Sequence, residues 1–137
     1  QFGEYLTRAA DGFTVLAGSG ATYYSALTLG AHGAILAVAG VAPELCVDIF
    51  NTVRDGRLDE ARRMAHRLAP LSKLVGATYG VPGLKAAITL LGLDGGAPRP
   101  PLLPVGQQAV DVIREQLKEL GLFPTPTSKS RALGAPA

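Results

Sequence analysis

Cysteine is almost missing: the 137 residues hold one, Cys46. A lone thiol cannot close an internal disulfide, so nothing calls for an oxidising compartment. In its apolar helical surroundings Cys46 reads as a small buried hydrophobe. Long hydrophobic runs are missing too. The longest, Gly33 to Pro43, falls well short of the roughly 20 residues that span a bilayer, so no membrane-spanning helix is expected. Charge is scarce and balanced, with 18% charged residues, 13 basic against 11 acidic, and a net of +2. The densest basic group, Arg62, Arg63, His66 and Arg67, is spread by helical spacing over a solvated face, which argues against a nucleic-acid partner. Gln1-Phe2-Gly3-Glu4 has neither the basic start nor the apolar core of a signal peptide, so the expected location is cytoplasmic. The first residue is not methionine, which suggests a processed or truncated product, or an earlier part outside these residues. What is present is globular: 47% of residues are hydrophobic, enough for one ordinary domain with a core.

The chain opens with helical spacing of Phe2, Tyr5, Leu6 and Ala9, stopped at Gly12. Phe13 to Ala17 is a short apolar β run, and Gly18-Ser19-Gly20 ends it. Ala21 to Leu29 is helical in composition. Gly33 to Ala39 is a second apolar run without polar alternation, the pattern of a parallel strand buried on both faces. Helix, strand, helix, strand with short glycine-rich joints is the rhythm of parallel βαβ architecture.

From Pro43 onward only helices are expected. Glu44 to Arg54 carries Leu45, Val47, Ile49 and Val53, and Asp55-Gly56 breaks the chain. Leu58 to Leu68 places Leu58, Ala61, Ala65 and Leu68 on one side, with Asp59 and Glu60 in the first turn, where the helix dipole favours them. Pro70 is expected to kink this helix before the pattern resumes through Leu74 and Val75. Pro82 can open a further helix closed by Gly92. Gly95 to Pro104 is extended, because its prolines prevent regular pairing. Gln107 to Leu120 carries a stripe of Val110, Ile113, Leu117 and Leu120. The polar segment after Phe123 is expected to be a mobile tail.

Two strands alone leave most of their backbone groups without partners, so this is an incomplete sheet that needs strands from elsewhere. Leu16-Ala-Gly18-Ser-Gly20-Ala-Thr22 imitates the start of a dinucleotide fingerprint, but the third glycine would fall at Tyr23 and no acidic residue ends the next strand. The Rossmann reading is therefore weak. His32 falls at the start of the second strand with no carboxylate at ligand spacing, so it is expected to be a satisfied turn histidine, and no metal or cofactor is implied.

Several segments in order resemble the dihydrodipicolinate synthase / N-acetylneuraminate lyase family of class I pyruvate-type aldolases. Phe13 to Gly20 is similar to the seventh barrel strand of that family. Leu29 to Ile35, continuing to Pro43, is similar to the eighth strand and its exit. Asp55 to Ala61 resembles the turn into the C-terminal helices, and Tyr79-Gly-Val-Pro-Gly-Leu-Lys-Ala-Ala87 with Gly95 to Pro104 resembles the C-terminal signature. The Gly-Val-Pro-Gly-Leu-Lys form is most like the 4-hydroxy-2-oxoglutarate aldolase branch.

The resemblance implies an α/β fold, the last two strands of a (β/α)₈ TIM barrel followed by a C-terminal helical extension. It divides the chain into barrel units at 1–54, a helical region at 55–123 and a flexible tail at 124–137. It further implies a Schiff-base lyase acting on pyruvate or another 2-oxo acid, a homo-oligomer (usually a homotetramer), with the N-terminal half of the barrel as partner. The Schiff-base lysine of the family lies on the strand before this chain's first residue. Lys73, Lys85 and Lys118 fall on helices and Lys129 in the tail, so no catalytic residue is expected here. The substrate-facing residues carried over are Gly18, which lets the backbone approach substrate, Ser19, which helps to set the second substrate, and Ile35. The backbone carbonyl of Ile35 is expected near the lysine while its side chain is core. Gly18 and Gly20 could equally serve only a tight turn. The competing reading from another class is a non-catalytic helical interaction module that folds by itself.

Overall fold

The computed structural model describes residues 2–123; the expected tail at 124–137 lies outside the described residues. The element order is helix α1 (Phe2–Arg8), strand β1 (Leu16–Ala17), α2 (Tyr23–Thr28), β2 (Gly33–Ala34), a 3₁₀ turn (Ala37–Gly40), α3 (Pro43–Arg54), α4 (Leu58–Lys73), a π-helical turn (Leu74–Thr78), α5 (Gly80–Leu90) and α6 (Gln107–Glu119). The two strands pair in parallel, Leu16 opposite Gly33 and Ala17 opposite Ala34. Flanking bonds lengthen the ladder: His32 N donates to Val15 O at 3.0 Å, and Ile35 N donates to Ala17 O at 2.9 Å.

Both strands are shorter than the apolar runs that encode them. Pairing is confined to the end of the first run and the start of the second, because a parallel strand needs a neighbour to satisfy its backbone and each has only one. Beyond Leu36 the second run turns instead into the 3₁₀ segment, which buries Val38 against the helices. The side chain of Ile35, expected in the core, is 75% exposed. The two-stranded sheet leaves that face open, and Leu16 and Phe13 are exposed as well.

The core sits among the helices. Ile49 of α3, Leu68 and Leu71 of α4, Val75 of the π turn, and Ile113 and Leu117 of α6 are fully or almost fully buried. Each contributes roughly 1.5–3 kcal/mol by leaving water. Helix α6 is fastened by Ala109, Ile113 and Leu117, one residue per turn, with Val110 and Leu120 half-buried beside them. Helix α4 departs from expectation at its first residue: Leu58 is exposed and offers its carbonyl to the Tyr24 hydroxyl at 3.1 Å. The helical pattern continues through Pro70 as expected, and α4 runs on to Lys73. The proline faces solvent while Leu68 and Leu71 on either side are buried, so packing outweighs the one missing backbone bond. The irregularity comes later, as the π turn. Among the described residues no helix is long and apolar enough to cross a membrane.

Candidate functional site

Parallel sheets of α/β proteins carry their chemistry beyond the carboxyl ends of the strands. In this chain that address is occupied by a cavity of about 550 Å³. Gly18, Ser19, Gly20 and Ala21 form its wall after β1, Ala37 lines it after β2, and Ala69, Ser72, Lys73, Gly76 and Ala77 close it from α4 and the π turn. Seven of these residues are glycine or alanine, so the space is kept open by small side chains. The polar groups are the hydroxyls of Ser19 and Ser72 and the ammonium of Lys73. No carboxylate lines it.

The expected residues are therefore partly gathered. Gly18 and Ser19 stand in the cavity wall, and a Cβ built on Gly18 would meet nothing within 4 Å. That glycine is demanded neither by packing nor by a positive φ. Gly20 is different. A Cβ there would collide with Ser72 Oγ and lie 3.0 Å from Ser72 Cβ and 3.3 Å from Val38 Cγ1. Gly20 is what allows α4 to press its last turn against the strand ends. Ile35 does not line the cavity; it sits just past β2 on the open face of the sheet, with its N–H bound to Ala17.

Lys73 was not anticipated at the strand ends, because a helical position by itself does not disclose that the end of α4 returns there. It is exposed, which is the wrong setting for a Schiff-base amine, since such a lysine needs desolvation. Lys118 is exposed as well, and Lys85 is committed elsewhere: its ammonium donates to Gly95 O at 2.7 Å. Gly95 is buried directly against the Lys85 carbonyl. The Gly-Val-Pro-Gly-Leu-Lys signature thus clasps the extended segment 92–104 to α5 and does not enter the cavity.

The remaining titratable groups have structural explanations. His32 accepts a hydrogen bond at Nδ1 from the Val15 N–H at 3.1 Å, the turn role expected for it. Cys46 is buried, and burial pushes its thiol up to about 11. Tyr23 donates to Cys46 O at 2.8 Å, and burial, then the nearby thiolate charge, pushes its phenol up to about 12. Among the described residues no group of three or more His, Cys, Asp or Glu could hold a metal ion.

A model of the dihydrodipicolinate synthetase family matches residues 2–120. The chain is 34% identical over 122 residues to the 4-hydroxy-tetrahydrodipicolinate synthase of Methanopyrus kandleri, covering 88% of this chain and 40% of that protein. It is 33% identical over 123 residues to the enzyme of the same name from Archaeoglobus fulgidus, covering 90% and 43%. The crystal structure of dihydrodipicolinate synthase from Thermotoga maritima superposes with a TM-score of 0.84 at 29% identity, covering 90% of this chain and 43% of that one. The chain spans about two fifths of the length of the relatives it matches.

Proposed function

The chain belongs to the dihydrodipicolinate synthetase family, and from that premise we propose that it forms one wall of the active-site mouth of a Schiff-base lyase acting on pyruvate or a related 2-oxo acid. The observation that carries this reading is the cavity beyond the carboxyl ends of β1 and β2, bordered by Gly18 and Ser19. Residues 1–54 supply the last two βα units of a barrel and 55–123 its helical extension. Further strands, from residues outside this chain, pair with the free edges of β1 and β2, and the closed barrel then covers the face bearing Leu16 and Ile35. An autonomous helical module would have no reason to leave these strand residues in solvent.

In this reading the reacting amine comes from a lysine outside the chain. It adds to the 2-oxo carbon, water leaves, and the iminium accepts the electron pair of the carbon–carbon bond that breaks. The present residues shape the space: Gly18 leaves room for the substrate to approach the backbone, and the Ser19 hydroxyl offers a hydrogen bond to the second substrate. The branch resembling 4-hydroxy-2-oxoglutarate aldolase rests on the Tyr79–Ala87 signature. A homo-oligomeric, cytoplasmic protein belongs to the same reading.

The test is borohydride reduction of the full-length protein with pyruvate, followed by intact mass and peptide mapping. One reduced pyruvate adduct on a lysine outside this chain is expected. No adduct at saturating pyruvate overturns the proposal.

A further inference from the structure

Lys73 combines three properties that no other described cation shares. It lines the cavity at the strand ends, where it is the only charged residue. It has no carboxylate partner, whereas Arg57, Arg62, Arg114 and Lys118 are each engaged by an aspartate or glutamate. It is also carried on a rigid element. The close approach of Ser72 to Gly20 fixes the last turn of α4 against the loop after β1, and Lys73 is the next residue. Around it the cavity wall is otherwise neutral and small, so an anion entering there meets one positive charge and no opposing negative one.

We propose that Lys73 selects substrate by receiving a carboxylate remote from the reacting carbonyl, so that the site prefers 2-oxo dicarboxylates to 2-oxo monocarboxylates. The inference rests on the reading above that the strand ends carry the reaction, and adds the substrate class. A single ammonium balances a single carboxylate, and a charge-assisted hydrogen bond is worth about tenfold in affinity. Lys73 acts as a binding group and takes no part in bond making.

The full-length protein is compared with its Lys73→Met and Lys73→Arg variants in two measurements. In borohydride trapping, Lys73→Met is expected to raise the half-saturating concentration of 2-oxoglutarate about tenfold more than that of pyruvate, and Lys73→Arg is expected to restore most of the preference. In calorimetric titration with glutarate, which has no carbonyl to react, Lys73→Met is expected to bind about tenfold more weakly. If wild type forms no adduct but its glutarate affinity still depends on Lys73, the Schiff-base reading falls and the carboxylate site stands. The inference is overturned if the 2-oxoglutarate-to-pyruvate ratio and glutarate affinity are unchanged in Lys73→Met. It is overturned equally if wild type does not bind glutarate, or if the trapped adduct maps to Lys73 itself.

Discussion

Replacing Gly95 with alanine tests whether the family-like signature acts as a clasp. The new Cβ would overlap the Lys85 carbonyl oxygen and lie 2.7 Å from Thr89 Oγ1 and 3.0 Å from the Lys85 carbonyl carbon. The carbonyl oxygen and carbon belong to the backbone of α5, which cannot rotate away. The segment must lift, and lifting it breaks the 2.7 Å bond from Lys85 Nζ to Gly95 O. Overpacking costs about 1–3 kcal/mol, and the lost bond from a charged donor adds about 1.5 kcal/mol, so a loss of about 3 kcal/mol is expected. Urea denaturation of the full-length protein, followed by circular dichroism, reads this as a midpoint lowered by about 1 M or more. Thr89→Ala removes only the side-chain contact, so the double variant should stay as unstable as Gly95→Ala. Gly20→Ala makes the contrast. Its worst collision is with the Ser72 side chain, so Ser72→Gly should recover most of the loss, less roughly 1 kcal/mol for glycine in a helix. Gly106→Ala, with nothing within 4 Å of the added carbon but at the N-cap of α6, serves as a control that should lose no more than about 1 kcal/mol. The clasp argument fails if Gly95→Ala matches that control, or if Thr89→Ala rescues it.

Gly18→Ala should leave the urea midpoint near wild type, since the added methyl meets nothing, yet lower kcat/KM for 2-oxo acid turnover about tenfold by narrowing the cavity; equal losses in stability and activity would point to a turn role instead. Alkaline pH should destabilise the fold in two steps. The folded-state values of Cys46 and Tyr23, about 11 and about 12, lie above the ordinary 9.0 and 10.0, so the unfolded chain releases its protons first. The stability they confer is whole below pH 9 and is lost as pH rises from 9 through 11 for Cys46 and from 10 through 12 for Tyr23. Cys46→Ala and Tyr23→Phe should flatten the lower and upper parts of a urea-midpoint profile respectively, and unchanged slopes would refute the assignment. The same burial predicts that Cys46 resists thiol reagents at pH 8 until the protein is unfolded.

Much of this architecture is legible from residue patterns. The apolar runs around Leu16 and Gly33 specify a parallel pair, and the glycine-rich joint between them marks the strand end where the cavity opens. The helices from α3 to α6 fall where periodicity and Pro43, Gly56, Gly92 and Gly121 place them. What is not legible depends on contacts distant in sequence. Strand length is set by neighbours, so neither run can disclose that only two residues of each pair. The exposure of Ile35 follows from the open sheet face, whereas its apolar side chain reads as core. That α4 reaches Lys73 without a break in its helical assignment depends on the burial of Leu68 and Leu71 on either side of Pro70, which local propensity does not weigh.

The placement of Lys73 did leave a signal in the sequence, and it explains why α4 has to continue past Pro70. Leu68, Leu71 and Val75 repeat at three and four residues and point into the core. Ala69, Ser72 and Gly76 repeat at the same intervals, one residue later, and line the cavity. One residue is about 100° of helical rotation, so the apolar stripe and the small-residue stripe occupy adjacent faces of one rod. Burying the first orients the second toward the strand ends. Had Pro70 broken the helix, Ala69 would lose its phase with Ser72, and the close contact at Gly20 could not form. The apolar stripe therefore sets the rotation, the small stripe sets the distance, and Gly20 on the opposing loop accommodates it. Lys73 follows Ser72 directly, so the contact that seats the helix also delivers the ammonium to the cavity, and a sequence search for paired offset stripes ending beside a basic residue would have found it.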